Sequence, residues 1–408
     1  LRGVLAVYVM VSHMAPFAVM PAWLASLLSH GGAGVDAFFV LSGLVIVQSL
    51  EAHGWHRRRF LAARAVRIFP VFLLVFAIAV AVQAFDGRVW DAMPWIGPDS
   101  PARDIWAVGW PPHWAASIAA HLTMTHGLFP DAVLPDIWVG YLGAAWSLST
   151  EWQFYALAAL VAPWLQRPGS GLPGFAILLL VLAAAGAVWQ SLAPAGLTFS
   201  RAFLPNKAAY FALGVASAAL LRAPSSPGST RGPPSGEVAG SSPAMTGIMT
   251  FVLVLAATLL LCLLQGFDKL AVPLVWLACL AAQRVPQLSR TAWLAAFLTR
   301  REILWLGALS YPLYLVNEPA QKLLARGLAE LAHGDAVWFS AVWIPGALLL
   351  PLGAAWLLHI GIEAPAMRRF RAPRLAQISP DSLCPGPKWT SPNRSSTSST
   401  PLSRSRTG

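Results

Sequence analysis

Apolar stretches close to twenty residues long recur along most of the chain, separated by short segments where Arg, Pro, Gly and Ser gather. Each stretch matches the roughly 30 Å of hydrocarbon that a helix crosses in about 20 residues. Backbone facing lipid must satisfy its own hydrogen bonds, so these stretches are predicted to be helices. The predicted spans cover roughly 1–19, 34–50, 69–86, 144–163, 174–192, 203–221, 246–264, 269–284, 303–319 and 337–359. Residues 113–128, which hold His113, His121 and His126, are too weakly apolar for hydropathy alone to assign.

Loop charge assigns them. With 113–128 left out, one side collects Arg57, Arg58, Arg59, Arg64 and Arg67, then Arg167, Arg222 and Arg231, then Arg284, Arg290, Arg300 and Arg301, and finally a basic tail. The opposite loops hold Arg88, Arg103, Arg201, Lys269, Lys322 and Arg326. Arginine-rich short loops stay in the cytoplasm. The expected fold is therefore an all-α integral membrane protein, a bundle of about ten transmembrane helices with N-terminus and C-terminus cytoplasmic.

Composition excludes a soluble globule: 57% of the 408 residues are hydrophobic and 11% charged, and mean hydropathy is +0.60. The net charge of +11 does not indicate nucleic acid, because the basic residues are dispersed through loops and tail instead of forming a patch. Cys262, Cys279 and Cys384 have neither metal nor CxxC spacing, so no disulfide framework and no metal site are implied. The chain opens at Leu1 inside an apolar run, and a start upstream is expected. Residues 1–371 read as one transmembrane domain, 87–143 as an outer cap loop, 223–247 as a flexible cytoplasmic linker and 372–408 as a disordered tail. Trp90, Trp95, Trp106, Trp110, Trp114 and Trp138 in the cap suit either the headgroup interface or stacking on sugar rings.

Titratable groups at membrane depth are costly and mark sites. His13 lies about 18 Å along the first span, toward the outer half. Asp36 opens the second span there, Glu151 lies two turns into the fourth, and Asn317 ends the ninth. An imidazole can take a hydroxyl proton near neutral pH, and Glu151 or Asp36 could orient it. The competing account is a histidine bonded structurally between helices. On the cytoplasmic side, Arg64 and Arg67 share one helix face and suit phosphate, or serve topology alone.

Several segments together resemble a known family. Arg2 precedes His13 by ten intervening residues, Gly34-Val35-Asp36-Ala37-Phe38-Phe39-Val40-Leu41-Ser42-Gly43 follows, then Arg64-Ala65-Val66-Arg67-Ile68-Phe69-Pro70. Trp146-Ser147-Leu148-Ser149-Thr150-Glu151-Trp152-Gln153-Phe154-Tyr155, Ser310-Tyr311-Pro312-Leu313-Tyr314-Leu315 and Glu363-Ala364-Pro365 complete the series. In this order and spacing they resemble the acyltransferase 3 family, whose members are multispanning O-acyltransferases of the bacterial inner membrane. The resemblance implies acyl-CoA, usually acetyl-CoA, as co-substrate with no bound cofactor, and a hydroxyl of a glycan, lipid-linked saccharide or small natural product as acceptor. It makes Arg2, His13 and Glu151 functional positions and, together with Asp36, the expected catalytic set. Arg64 and Arg67 are expected to bind acyl-CoA, and Trp146, Tyr311, Tyr314 and Asn317 the acceptor. The family's late motif usually ends in histidine, where this chain has Asn317; an amide can orient a substrate but cannot carry a proton. Direct transfer and an acyl-histidine intermediate both remain open. The alternative from another class is a secondary transporter or flippase of a glycan or small molecule.

Overall fold

The computed structural model describes residues 1–83, 89–106, 109–167, 171–222, 243–284 and 296–369. Helix follows helix, and the described residues contain no strand beyond an isolated bridge between Pro130 and Phe199. In chain order come α1 (Arg2–Met14), α2 (Ala22–Leu28), α3 (Gly31–Ala52), α4 (Arg57–Gln83), the short α5 (Pro101–Ile105) and α6 (Trp114–Leu122). After α7 (Ala145–Leu165), α8 (Gly171–Leu192), α9 (Ala208–Arg222), α10 (Pro243–Gln265) and α11 (Ala271–Arg284), the chain ends its described part in α12 (Arg301–Ala332), α13 (Ala336–Leu358) and α14 (Ala364–Arg368). Five stretches combine the length and apolarity needed to cross a bilayer: 22–52, 57–83, 171–192, 245–265 and 336–368.

Two pairings organise the bundle. α3 lies against α9, where a methyl on Gly43 would stand 3.1 Å from the Gly214 Cα and closer still to the Phe211 carbonyl. Small residues let two backbones approach this closely, and larger ones would part the helices. α1 lies against α12, and this contact brings the N-terminal segment beside residues more than 300 positions away.

Several boundaries differ from the hydropathy pattern. α4 begins at Arg57, well before the predicted 69, because the Arg- and Ala-rich segment is a good helix former and meets no breaker before Pro70. Arg57 to Arg59, Arg64 and Arg67 thus stand on the helix and not in a preceding loop. α12 does not end near Asn317 but runs on to Ala332, and stops where His333 (φ 48°) and Gly334 (φ 88°) enter the left-handed region. Lys322 and Arg326 consequently move from a predicted outer loop onto this helix. Residues 243–247 of the predicted linker already belong to α10; 223–242 and the predicted tail at 372–408 lie outside the described residues, as do Arg88, Arg231, Arg290 and Cys384.

The cap tryptophans divide. Trp106 is buried, and with Phe17, Met93, Phe339 and Trp343 it forms a second core that closes the end of the bundle. Its ring lies 5.8 Å from Trp90, and Phe17 lies 5.5 Å from Trp343. Buried in protein, Trp106 cannot sit among headgroups, so that expectation fails for it: folding the cap onto α1 and α13 removes more apolar surface than leaving the ring at an interface. Trp110 and Trp114 remain exposed. The cap is also tied to the loop before α9 by Ala132 N–H donating to the Gly196 carbonyl at 2.7 Å.

Candidate active site

Two cavities among the described residues lie along the interior, named inner and outer for the sides that loop charge predicts. The inner one, about 70 Å³, is walled by Arg2 of α1, Ser42 of α3, Arg67 of α4, Glu151 and Tyr155 of α7, and Tyr311 and Tyr314 of α12. Glu151 and Tyr155 stand at i and i+4, one above the other on the same face of α7. The Tyr155 hydroxyl donates to Glu151 Oε1, and the Ser42 hydroxyl donates to the same oxygen at 2.7 Å. The carboxylate is therefore held on two sides within a wall that also carries two guanidinium groups. Arg64 is one turn from Arg67 but faces differently: it donates to the Ser49 hydroxyl and lies over the rings of Tyr155 (5.2 Å) and Phe60 (5.6 Å). The Tyr311 hydroxyl donates to the Ile68 carbonyl at 2.6 Å, joining α12 to α4.

The outer cavity is larger, about 680 Å³, and His13 lines it with Trp138, Trp146, Arg201, Tyr314 and Glu318 among others. His13 Nδ1 stands 2.9 Å from Asn317 Oδ1. The direction of that bond follows from the amide's other partners. Asn317 Nδ2 donates to the carbonyls of Tyr314 (2.6 Å) and Leu313 (3.1 Å) on its own helix, which fixes the amide nitrogen on that side and turns the oxygen toward the imidazole. Nδ1 must then carry the proton, and Nε2 holds the lone pair. A fixed Nδ1 partner of this kind is how an imidazole is kept in the tautomer a general base needs.

The four polar groups expected to converge are sorted into three places. His13 and Asn317 bond directly. Glu151 stands with the arginines of the inner cavity. Asp36 accepts from Lys207 Nζ at 2.7 Å, and that ammonium lies 5.6 Å from the Trp146 ring. Among the expected acceptor residues, Trp146 faces the outer cavity, Tyr311 the inner one, and Tyr314 both, its hydroxyl 2.8 Å from that of Ser147. Val35 also belongs to both linings, so Val35 and Tyr314 form the partition between the cavities.

Reasoning from sequence missed Glu318 and Lys322. They are 2% and 6% exposed, paired at 2.9 Å across one helical turn, and Glu318 Oε2 accepts from the Ala144 N–H at 3.0 Å where α7 begins. Opposite charges four residues apart in an apolar segment were the available signal, since each makes the other tolerable at depth. The prediction that the helix stopped before Lys322 hid it.

Comparison with known proteins agrees with the motifs. No curated protein and no solved structure matches the chain. The sequence pattern of an acyltransferase domain matches residues 1–360, which takes in both cavities and the helices that carry them. The chain belongs to the acyltransferase 3 family, and it is a membrane acyltransferase.

Proposed function

We propose that this acyltransferase moves an acyl group, acetyl by expectation, from cytoplasmic acyl-CoA to a hydroxyl of a glycan, lipid-linked saccharide or small natural product on the outer side of a bacterial inner membrane. Ten helices cross, both termini are cytoplasmic, residues 1–371 form one transmembrane domain, and 87–143 cap the outer face. One observation carries the reading: an imidazole whose Nδ1 is bonded to Asn317 lines the outer cavity, while two arginines wall an inner cavity that shares Val35 and Tyr314 with it.

The inner cavity is about 70 Å³, room for about two waters at about 30 Å³ each, so a nucleotide does not enter it and the pantetheine arm enters only as the cavity widens. The CoA nucleotide stays at the cytoplasmic end, its phosphates drawn to Arg67 at the rim of the cavity and to Arg64, which exchanges its bond to Ser49 for phosphate. Its pantetheine arm rises past Arg2, and eleven residues of α1 place His13 about 16 Å above. His13 Nε2 takes the proton of the acceptor hydroxyl, and the oxygen attacks the thioester carbonyl carbon. The C–O bond forms, the C–S bond breaks, and the leaving thiolate receives the proton from the imidazolium. Glu151, held by Ser42 and Tyr155, balances the charge of Arg2 and Arg67. Asp36 acts through Lys207, a positioning residue beneath Trp146.

The test is radiolabelled acetyl-CoA supplied to membranes containing the full chain. His13→Ala should lower transfer at least about a hundredfold while binding of acetyl-CoA persists. Transfer at a substantial fraction of the wild-type rate would remove His13 from the chemistry.

A further inference from the structure

A third cavity, about 990 Å³, runs between α8, α9 and α10. Alanines at 183, 184 and 187 of α8 form one wall, and Leu261 and Leu264 of α10 another. Both α8 and α10 are long and apolar enough to cross a bilayer, and of the apolar residues lining the groove Val188, Leu192 and Leu264 are 56%, 77% and 75% exposed. The groove therefore opens sideways, toward lipid. From Ala183 to Leu192 it extends about 14 Å at 1.5 Å per residue, close to half of a hydrocarbon layer about 30 Å thick.

An apolar groove in a membrane protein is ordinarily filled by bulk lipid, but this one carries charge where it meets the outer cavity. Arg201 and Lys207 line it, the first 4.3 Å over Trp138 and the second paired with Asp36. Trp138 and Arg201 also line the outer cavity that holds His13. Hydrocarbon, a guanidinium, and a cavity with two indole walls thus follow one another in space. Guanidinium recognises phosphate, and about 680 Å³ holds a headgroup of saccharide size within the usual 300–1,000 Å³ of small-molecule sites.

We infer that this lateral groove seats the hydrocarbon anchor of the acceptor, a lipid carrying a saccharide through phosphate, with the phosphate at Arg201 and the sugar in the His13 cavity. The inference rests on the proposed transfer to a hydroxyl and selects one acceptor class for it. Access from the side lets a lipid-borne acceptor reach His13 without leaving the bilayer.

Binding tests it apart from catalysis. The purified full chain, in nanodiscs of phosphatidylcholine, is titrated with farnesyl-phosphoryl-glucose, and competition is measured with phosphatidylglycerol, which lacks the sugar, and octyl glucoside, which lacks the phosphate. The farnesyl probe should bind saturably, and Ala187→Trp and Arg201→Gln should each weaken it at least tenfold. Leu349→Trp, on an exposed face of α13, should leave binding unchanged, and melting temperatures of all three variants report folding. Unaltered affinity in a folded Ala187→Trp variant would overturn the groove. Equal competition by phosphatidylglycerol would overturn the saccharide-lipid assignment, and equal competition by octyl glucoside the role of phosphate. Transfer of labelled acetyl is assayed separately: probe binding without transfer by the wild-type protein would fail the acyl-transfer reading and leave the groove standing.

Discussion

An amide can tell the two nitrogens of an imidazole apart only if its own orientation is fixed, and Asn317 is fixed by two carbonyls of its helix. Replacing it with Leu keeps the volume and removes the acceptor of the Nδ1 proton, so His13 would lose its preferred tautomer. Losing one buried hydrogen bond costs about 1–3 kcal/mol, or roughly 5- to 150-fold if expressed in the transition state. Asn317→Leu should therefore lower kcat by that factor with KM for acetyl-CoA unchanged, whereas Asn317→Asp, which still presents an oxygen, should retain most of the rate. Steady-state kinetics on labelled acetyl-CoA separates the two, and equal rates for Leu and Asp would mean the bond to His13 is merely structural. His13, Arg2, Glu151 and Asn317 were legible in sequence as ionisable or amide side chains in apolar segments at fixed spacing. Their partners were not, because His13 and Asn317 are 304 positions apart and depth along a span says nothing of which helices touch.

The five stretches long and apolar enough to cross a bilayer were legible because length and apolarity define them, while helix ends and the segment between α4 and α7 depended on pairing that hydropathy does not register. Glu318 and Lys322 lengthen α12 by neutralising each other, and the cap's buried histidines make it sensitive to acid. His121 on α6, outside the spans, donates from Nδ1 to the Ser117 carbonyl at 2.8 Å and stacks 4.2 Å from the ring of His126. Burial pushes the His121 pKa from 6.5 down to about 4, and that of His126 falls well below its usual value. The unfolded chain then binds more protons than the folded one between these limits, so stability is complete above pH 6.5 and is lost as pH falls toward 4. For His121 the loss amounts to about 3 kcal/mol at its fullest. Melting temperature in detergent should drop between pH 6.5 and 4.5, and His121→Phe should shrink the drop while leaving the part due to His126. An identical pH dependence in the variant would place the titrating group elsewhere.

For the whole molecule, the question is whether donor and acceptor, approaching from opposite sides, meet by the route that the two cavities outline. Loop arginines predict the sides, but cavities arise from what neighbouring helices leave unfilled, and no single segment records that. Val35 is the useful position: it is 5% exposed, it lines both cavities, and it takes no part in the polar contacts of His13, Glu151 or the arginines. Val35→Trp should fill the partition without touching Arg64 or Arg67, the residues proposed to hold CoA phosphates. Acetyl-CoA affinity is then expected to stay within about twofold, and transfer to fall at least about tenfold, a barrier increase near 1.4 kcal/mol. Val35→Ala widens the same point and should leave transfer close to wild type, which distinguishes obstruction from a packing defect. If Val35→Trp folds, binds acetyl-CoA and still transfers at the wild-type rate, the thioester reaches His13 by some path other than the one between Val35 and Tyr314, and the stacked-cavity mechanism fails even though the family assignment stands.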